Sequence, residues 1–107
     1  MTQVFNIKRG DTSPAIEFAL EPSDIILNGA TVRFQMKRRN GPTVIDEPAV
    51  IVSASPPVVS YAWAAQDTAT AGFYQAEFRV VYFDGTIETF PNAGFIDVLI
   101  NADVPSL

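Results

Sequence analysis

The sequence of 107 residues contains neither histidine nor cysteine. These two absences exclude imidazole general bases, Ser-His and Cys-His nucleophile pairs, and the usual zinc ligands. The lack of cysteine also excludes a disulfide framework, so folding in a reducing cytoplasm fits better than secretion. We therefore expect a protein that is not an enzyme, with no catalytic residue, no cofactor and no metal site.

Carboxylates are the remaining side chains that could carry chemistry. Asp46 and Glu47 are the only adjacent pair, and consecutive residues on a strand point to opposite faces, so the two cannot easily act on one atom. The loop aspartates could offer oxygen ligands to calcium, but no EF-hand spacing is present and turn formation is their ordinary role. These are Asp11, Asp24, Asp67 and Asp84.

The sequence also lacks a long apolar run and an excess of positive charge. No stretch approaches the roughly 20 apolar residues of a membrane-spanning helix, and Met1 to Asn6 does not have the pattern of a signal peptide. The 7 basic against 12 acidic residues give a net charge of -5. We therefore expect neither a membrane nor nucleic acid as partner. The basic run Lys37 to Arg39 is predicted to be a solvated strand end, with a phosphate or acidic-partner contact as the alternative.

Apolar residues make up 48% of the chain, and they recur with a period of two, which is typical of β-strands. The clearest alternations run from Thr31 to Lys37 and from Tyr74 to Tyr82. Turn residues separate such runs along the whole chain, and a stretch with helical spacing never lasts beyond a turn or two. Residues 1–107 are therefore predicted to form one all-β domain, a two-sheet sandwich, with a small closed barrel as the alternative.

The Asp84-Gly85 pair predicts a β-hairpin with a type I′ turn, in which both central residues have positive φ. Three apolar residues of this hairpin would point away from the core: Val81, Phe83 and Ile87. Apolar residues on both faces of a hairpin predict either an interface with another protein or burial under the loop from Pro91 to Gly94.

The stretch from Asp67 to Ala76 resembles the tyrosine corner of immunoglobulin-like sandwiches. There, a Tyr near the start of strand F donates its hydroxyl to upstream backbone. Tyr74 is predicted to be that residue, with Gly72 in the tight turn, Asp67 in the loop and Trp63 on the preceding strand. The other predicted core residues are Phe34, Tyr61 and Phe78. The predicted fold is thus an immunoglobulin-like antiparallel β-sandwich of about seven to nine short strands.

The chain resembles the N-terminal domain family of phage baseplate upper proteins, which are immunoglobulin-like modules of tailed-phage virions. The matching stretches are FNIKRGDTSP from Phe5 to Pro14, LNGATVRFQM from Leu27 to Met36, YAWAAQDTATAGFYQAEF from Tyr61 to Phe78, and DGTIETFPNAGF from Asp84 to Phe95. The resemblance implies a module that docks onto a tail or baseplate. In that family the chain continues into segments that hold receptor-binding proteins. Because the module stands here without them, we expect a small accessory protein of the virion.

The resemblance implies localisation in the virion after synthesis in the host bacterial cytoplasm. It implies other virion structural proteins as partners, and it leaves homo-oligomerisation open. The alternative from another class is a ligand-binding module of carbohydrate-binding or adhesin type, which would use an exposed Tyr or Trp as a stacking platform, with Trp63 as the best candidate. A regulator that binds a host protein is a third hypothesis, to which no motif points.

Overall fold

The computed structural model describes residues 4–104. This part of the chain contains nine β-strands and one short 3₁₀ helix. The strands are β1 (Val4–Lys8), β2 (Ile16–Ala19), β3 (Thr31–Arg38), β4 (Thr43–Pro48), β5 (Val50–Ala54), β6 (Pro57–Tyr61), β7 (Gly72–Val81), β8 (Ile87–Phe90) and β9 (Ile96–Asn101). The 3₁₀ helix spans Ala65–Thr68, where the sequence predicts a loop with a single helical turn.

The strands form two sheets, with the order β1-β9-β7-β3-β4 in the larger and β2-β6-β5 in the smaller. β7 pairs with β3 along one edge, while β9 and β8 share its other edge over Gly72–Ala76 and Phe78–Val81. Within the described residues all strand pairs are antiparallel except β1 and β9. The smaller sheet corresponds to immunoglobulin strands B, E and D, and β9, β7, β3 and β4 correspond to G, F, C and C′. The predicted sandwich is confirmed, and the closed barrel is wrong because the two sheets share no strand pair in this part of the chain.

Alternation of apolar and polar residues explains how the two long central strands fit together. Along β7 and β3, every second side chain is buried, because successive residues of a strand point to opposite faces. The register places Phe34 opposite Phe78 and Met36 opposite Ala76. The two strands therefore present one continuous apolar face to the smaller sheet.

An aromatic cluster occupies the centre of the sandwich, and it contains all four predicted core residues. Phe34 stacks on Tyr61 with 4.5 Å between the ring centroids, and it contacts Phe78 at 5.1 Å and Trp63 at 5.6 Å. All four side chains are buried. Such pairs contribute about 0.5–1.5 kcal/mol each beyond the area that they bury.

Trp63 fills the core from a position that the sequence did not predict. It was expected on the strand before the corner, but β6 ends at Tyr61 and Trp63 lies in the connection to the 3₁₀ helix. The strand ends there because the Asp67 carboxylate accepts the Ala64 N–H at 2.8 Å, which turns the backbone out of the sheet. The indole Nε1 is buried without a hydrogen-bond partner in the described residues, so the ring acts through packing.

The predicted tyrosine corner is present, with different supporting residues. The Tyr74 hydroxyl donates to the Thr70 carbonyl oxygen at 2.7 Å. Gly72 is the first residue of β7 and not part of a tight turn; its φ of 152° favours glycine. Asp67 lies in the loop before the corner, and its carboxylate accepts the Tyr61 hydroxyl at 2.6 Å. Burial, and then this hydrogen bond, raise the pKa of Tyr61 above its ordinary value.

Candidate functional site

The hairpin of β7 and β8 ends in a loop that differs from the predicted one. The Tyr82 N–H donates to the Thr86 carbonyl oxygen at 2.8 Å, and the Gly85 N–H donates to the Tyr82 carbonyl oxygen at 2.9 Å. Gly85 has a φ of 88°, while Asp84 does not have a positive φ. The type I′ prediction is therefore wrong, and the loop has three residues with a left-handed glycine at its end. This geometry confines the left-handed conformation to glycine, which avoids a cost of about 1 kcal/mol at Asp84.

The hairpin loop exposes apolar side chains at one end of the sandwich. Phe83, near the tip, is 86% exposed, and Ile87 is 54% exposed. Val81 is half-buried and lies directly opposite Ile87 in the strand register. Burial of all three under the Pro91–Gly94 loop is therefore wrong. The reason is that this loop leads to β9, whose first residue pairs with the middle of β7, far from the tip.

Ile26 lies beside Phe83 at this end of the sandwich, although the sequence did not single it out. It is 59% exposed and lines a shallow groove together with Phe83 and Tyr82. Its neighbour Leu27 is buried and donates its N–H to the Ala54 carbonyl oxygen at 3.1 Å. The sequence does contain a sign of this exposure, because Ile25 to Leu27 are three successive apolar residues. A short extended segment cannot bury all three on one face. We call Ile26, Val81, Phe83 and Ile87 the hairpin patch.

Two carboxylates lie beside the hairpin patch, and each is held by neutral donors. Asp84 accepts the Thr86 hydroxyl at 2.6 Å and the Thr86 N–H at 3.0 Å, and these bonds lower the pKa of Asp84. Glu88 accepts the Tyr82 hydroxyl at 2.7 Å and the Asn92 amide at 3.1 Å. Among residues 4–104 the ion pairs are Arg9–Asp103 and Arg33–Asp46, so neither carboxylate is neutralised by a cation there. Asp84 therefore places a negative charge beside Phe83 and Ile26.

The basic run lies at the opposite end of the sheet. Arg38 lies over the Tyr74 ring at 5.4 Å and Arg39 over the Phe73 ring at 5.8 Å. Phe73 itself is 53% exposed. β7 begins at this end and reaches the hairpin patch at its other end, while the antiparallel β3 runs the opposite way. Strand pairing thus separates the basic run from the hairpin patch by the length of the sheet.

A polar groove of about 430 Å³ crosses the outer face of the larger sheet. Its walls include Gln35, Glu77, Phe95 and Asp46, and Arg33 binds Asp46 at 2.8 Å. The Arg33 hydrogen bond is the main reason that the pKa of Asp46 lies below its usual value. Asp46, one member of the adjacent carboxylate pair Asp46 and Glu47, is therefore engaged in an ion pair.

Comparisons with protein-family models, with curated proteins and with solved structures found no match. Membership of the baseplate upper protein family thus stays a prediction. Within the described part of the chain, no helix has the length and apolar character needed to cross a membrane. The same residues bring together no group of acidic side chains suited to a metal ion.

Proposed function

We propose that this protein is a non-enzymatic structural component of a tailed-phage or prophage particle, in the tail, the baseplate or the head-tail region. It works by docking onto other virion proteins. The observation that carries the docking role is the hairpin patch, in which Phe83 stands almost fully in solvent. A large aromatic side chain exposed at the tip of a well-formed hairpin is costly in water and suits a partner that covers it.

The particle as the site of action is supported by the ordered resemblance to baseplate upper proteins, which covers stretches from Phe5 to Phe95. The non-catalytic role is supported by the absence of histidine and cysteine. The strand order and the Tyr74 corner provide a rigid scaffold without disulfides. Such a scaffold suits a protein made in the host cytoplasm and then built into a virion.

Mass spectrometry of purified particles tests this proposal. Particles released by lysis or by prophage induction are banded on a density gradient and washed in high salt to remove loosely bound protein. We expect peptides of this chain at a fixed ratio to the tail proteins across the gradient. Abundant protein in the lysate with none in the banded particles would contradict the proposal.

The carbohydrate-binding alternative finds less support. Trp63, its best candidate platform, is only 4% exposed and lies within the aromatic cluster. In the polar groove the aromatic side chain is Phe95, and the Lys37 ammonium lies 4.9 Å from the centre of its ring. One face of that ring is therefore already occupied by a cation.

A further inference from the structure

The two ends of the sandwich have opposite chemical character. The molecule measures 52 × 25 × 24 Å, so its ends are well separated. The hairpin end is formed by the β7–β8 loop and by the segment that follows β2, because Ile26 and Phe83 line one groove. The opposite end is formed by the close of β3 and the start of β7, where Arg38 pairs with Tyr74.

The loops of the hairpin end carry acidic side chains and no basic ones. Residues 20–30 and 82–88, which build these loops, contain no lysine or arginine. Their acidic residues are Glu21, Asp24, Asp84 and Glu88. The exposed Phe83 ring shares a groove with Ile26 and with the Asp84 carboxylate.

The opposite end carries the basic run. Lys37, Arg38 and Arg39 are consecutive, and none of them is within ion-pair distance of a carboxylate in residues 4–104. Each cation lies over an aromatic ring. The half-exposed Phe73 thus forms an apolar centre beside basic side chains. Asp97 shares a small groove with Arg39 and Phe73 but forms no ion pair with Arg39.

We infer that copies of this protein dock head to tail, with the Phe83 end of one copy against the Arg38–Arg39 end of the next. Charge complementarity within the same chain selects a second copy as the occupant, because one end presents an exposed aromatic ring beside carboxylates and the other presents an exposed aromatic ring beside cations that have no ion-pair partner in residues 4–104. A contact between two different surfaces is heterologous, and repetition of it closes into a ring or extends as a filament. This inference rests on the proposed function and names one partner for it.

The size of the ends sets the strength of this contact. A cross-section of 25 × 24 Å gives each end only a small area for contact. That area lies at the lower limit of stable protein interfaces. Because charged side chains lie beside both exposed rings, the association weakens as salt screens them. We therefore expect weak, salt-sensitive self-association in solution, which becomes stronger where a particle holds several copies side by side.

Sedimentation velocity of two charge-reversal variants tests the inference. In the basic-end variant, Arg38→Glu and Arg39→Glu make both ends acidic. In the acidic-end variant, Asp24→Lys and Asp84→Lys cancel the negative charge of the hairpin end and leave the basic end unchanged. At low salt the unmodified protein should sediment faster as its concentration rises, and either variant alone should associate about tenfold more weakly or remain monomeric.

Sedimentation velocity of an equimolar mixture of the two variants is the decisive measurement. Each variant keeps one natural end, so the mixture should form complexes that neither variant forms alone. Thermal melting of each variant shows that it is folded, and Phe83→Ser supplies a second, uncharged variant that should also weaken association. Val50→Ser, which changes an exposed valine on the smaller sheet, is the matched control and should associate normally.

Two results would overturn the inference. One is an unmodified protein that stays monomeric at low salt up to millimolar concentration. The other is association that the charge variants leave unchanged, or a mixture that fails to restore it. Either result combined with detection of the protein in purified particles would leave the structural role intact and assign the hairpin patch to another virion protein. Absence from particles would contradict the proposed function instead.

Discussion

The Tyr74 hydroxyl donates a 2.7 Å hydrogen bond to the carbonyl oxygen of Thr70, four residues upstream. This bond closes the corner through which the chain enters β7, the strand that carries Phe73 at its start and the hairpin patch at its end. The corner therefore fixes the position of both ends of the sandwich without a disulfide.

Removal of the hydroxyl in Tyr74→Phe should lower the free energy of unfolding by about 1–3 kcal/mol, because a partly buried carbonyl loses its partner. Urea unfolding followed by tryptophan fluorescence measures this change. Thr70→Ala is the matched control: it keeps the backbone carbonyl and changes only an exposed side chain, so it should stay within about 0.5 kcal/mol of the unmodified protein. Equal stability of Tyr74→Phe and the unmodified protein would mean that the corner contributes nothing.

Stability should fall at alkaline pH because two tyrosines ionise late. Burial and the hydrogen bond to Glu88 raise the pKa of Tyr82 to about 12, and burial together with Asp67 raises the pKa of Tyr61 as well. A pKa raised by folding means that the folded state holds the proton more tightly. The stabilisation is fully present below the unfolded value of about 10 and is lost as the pH rises through the folded value.

An absorbance titration of tyrosinate, combined with urea unfolding at several pH values above 9, checks this expectation. Tyr82→Phe removes one of the two tyrosines with a raised pKa. The free energy of unfolding of this variant should therefore fall less steeply as the pH rises. Ionisation of Tyr61 and Tyr82 near pH 10, with no loss of stability above that pH, would contradict the hydrogen bonds assigned to these two residues.

The alternation of residues predicted the central part of the fold. From Thr31 to Lys37 and from Tyr74 to Tyr82, one face had to be buried, and that face became the core. The Tyr74 corner was predictable for a similar reason, since a local sequence pattern determines it. Both features depend on neighbours along the chain.

The remaining features depend on side-chain contacts that the alternation of apolar and polar residues does not contain. Trp63 leaves the strand because Asp67 turns the backbone at Ala64, and that carboxylate is held in turn by Tyr61. The pairing of Arg39 with Phe73 arises only when β3 and β7 lie side by side. The joining of Ile26 to the hairpin patch likewise follows from the packing of a distant segment.

The most direct measurement of the central claim compares particle incorporation of Phe83→Ser with that of Val50→Ser. Both substitutions change an exposed apolar side chain, so both should leave stability within about 0.5 kcal/mol. We predict that quantitative mass spectrometry of purified particles finds Val50→Ser at the normal level and Phe83→Ser reduced about tenfold. Normal incorporation of Phe83→Ser, or absence of the unmodified protein from the particles, would contradict the account.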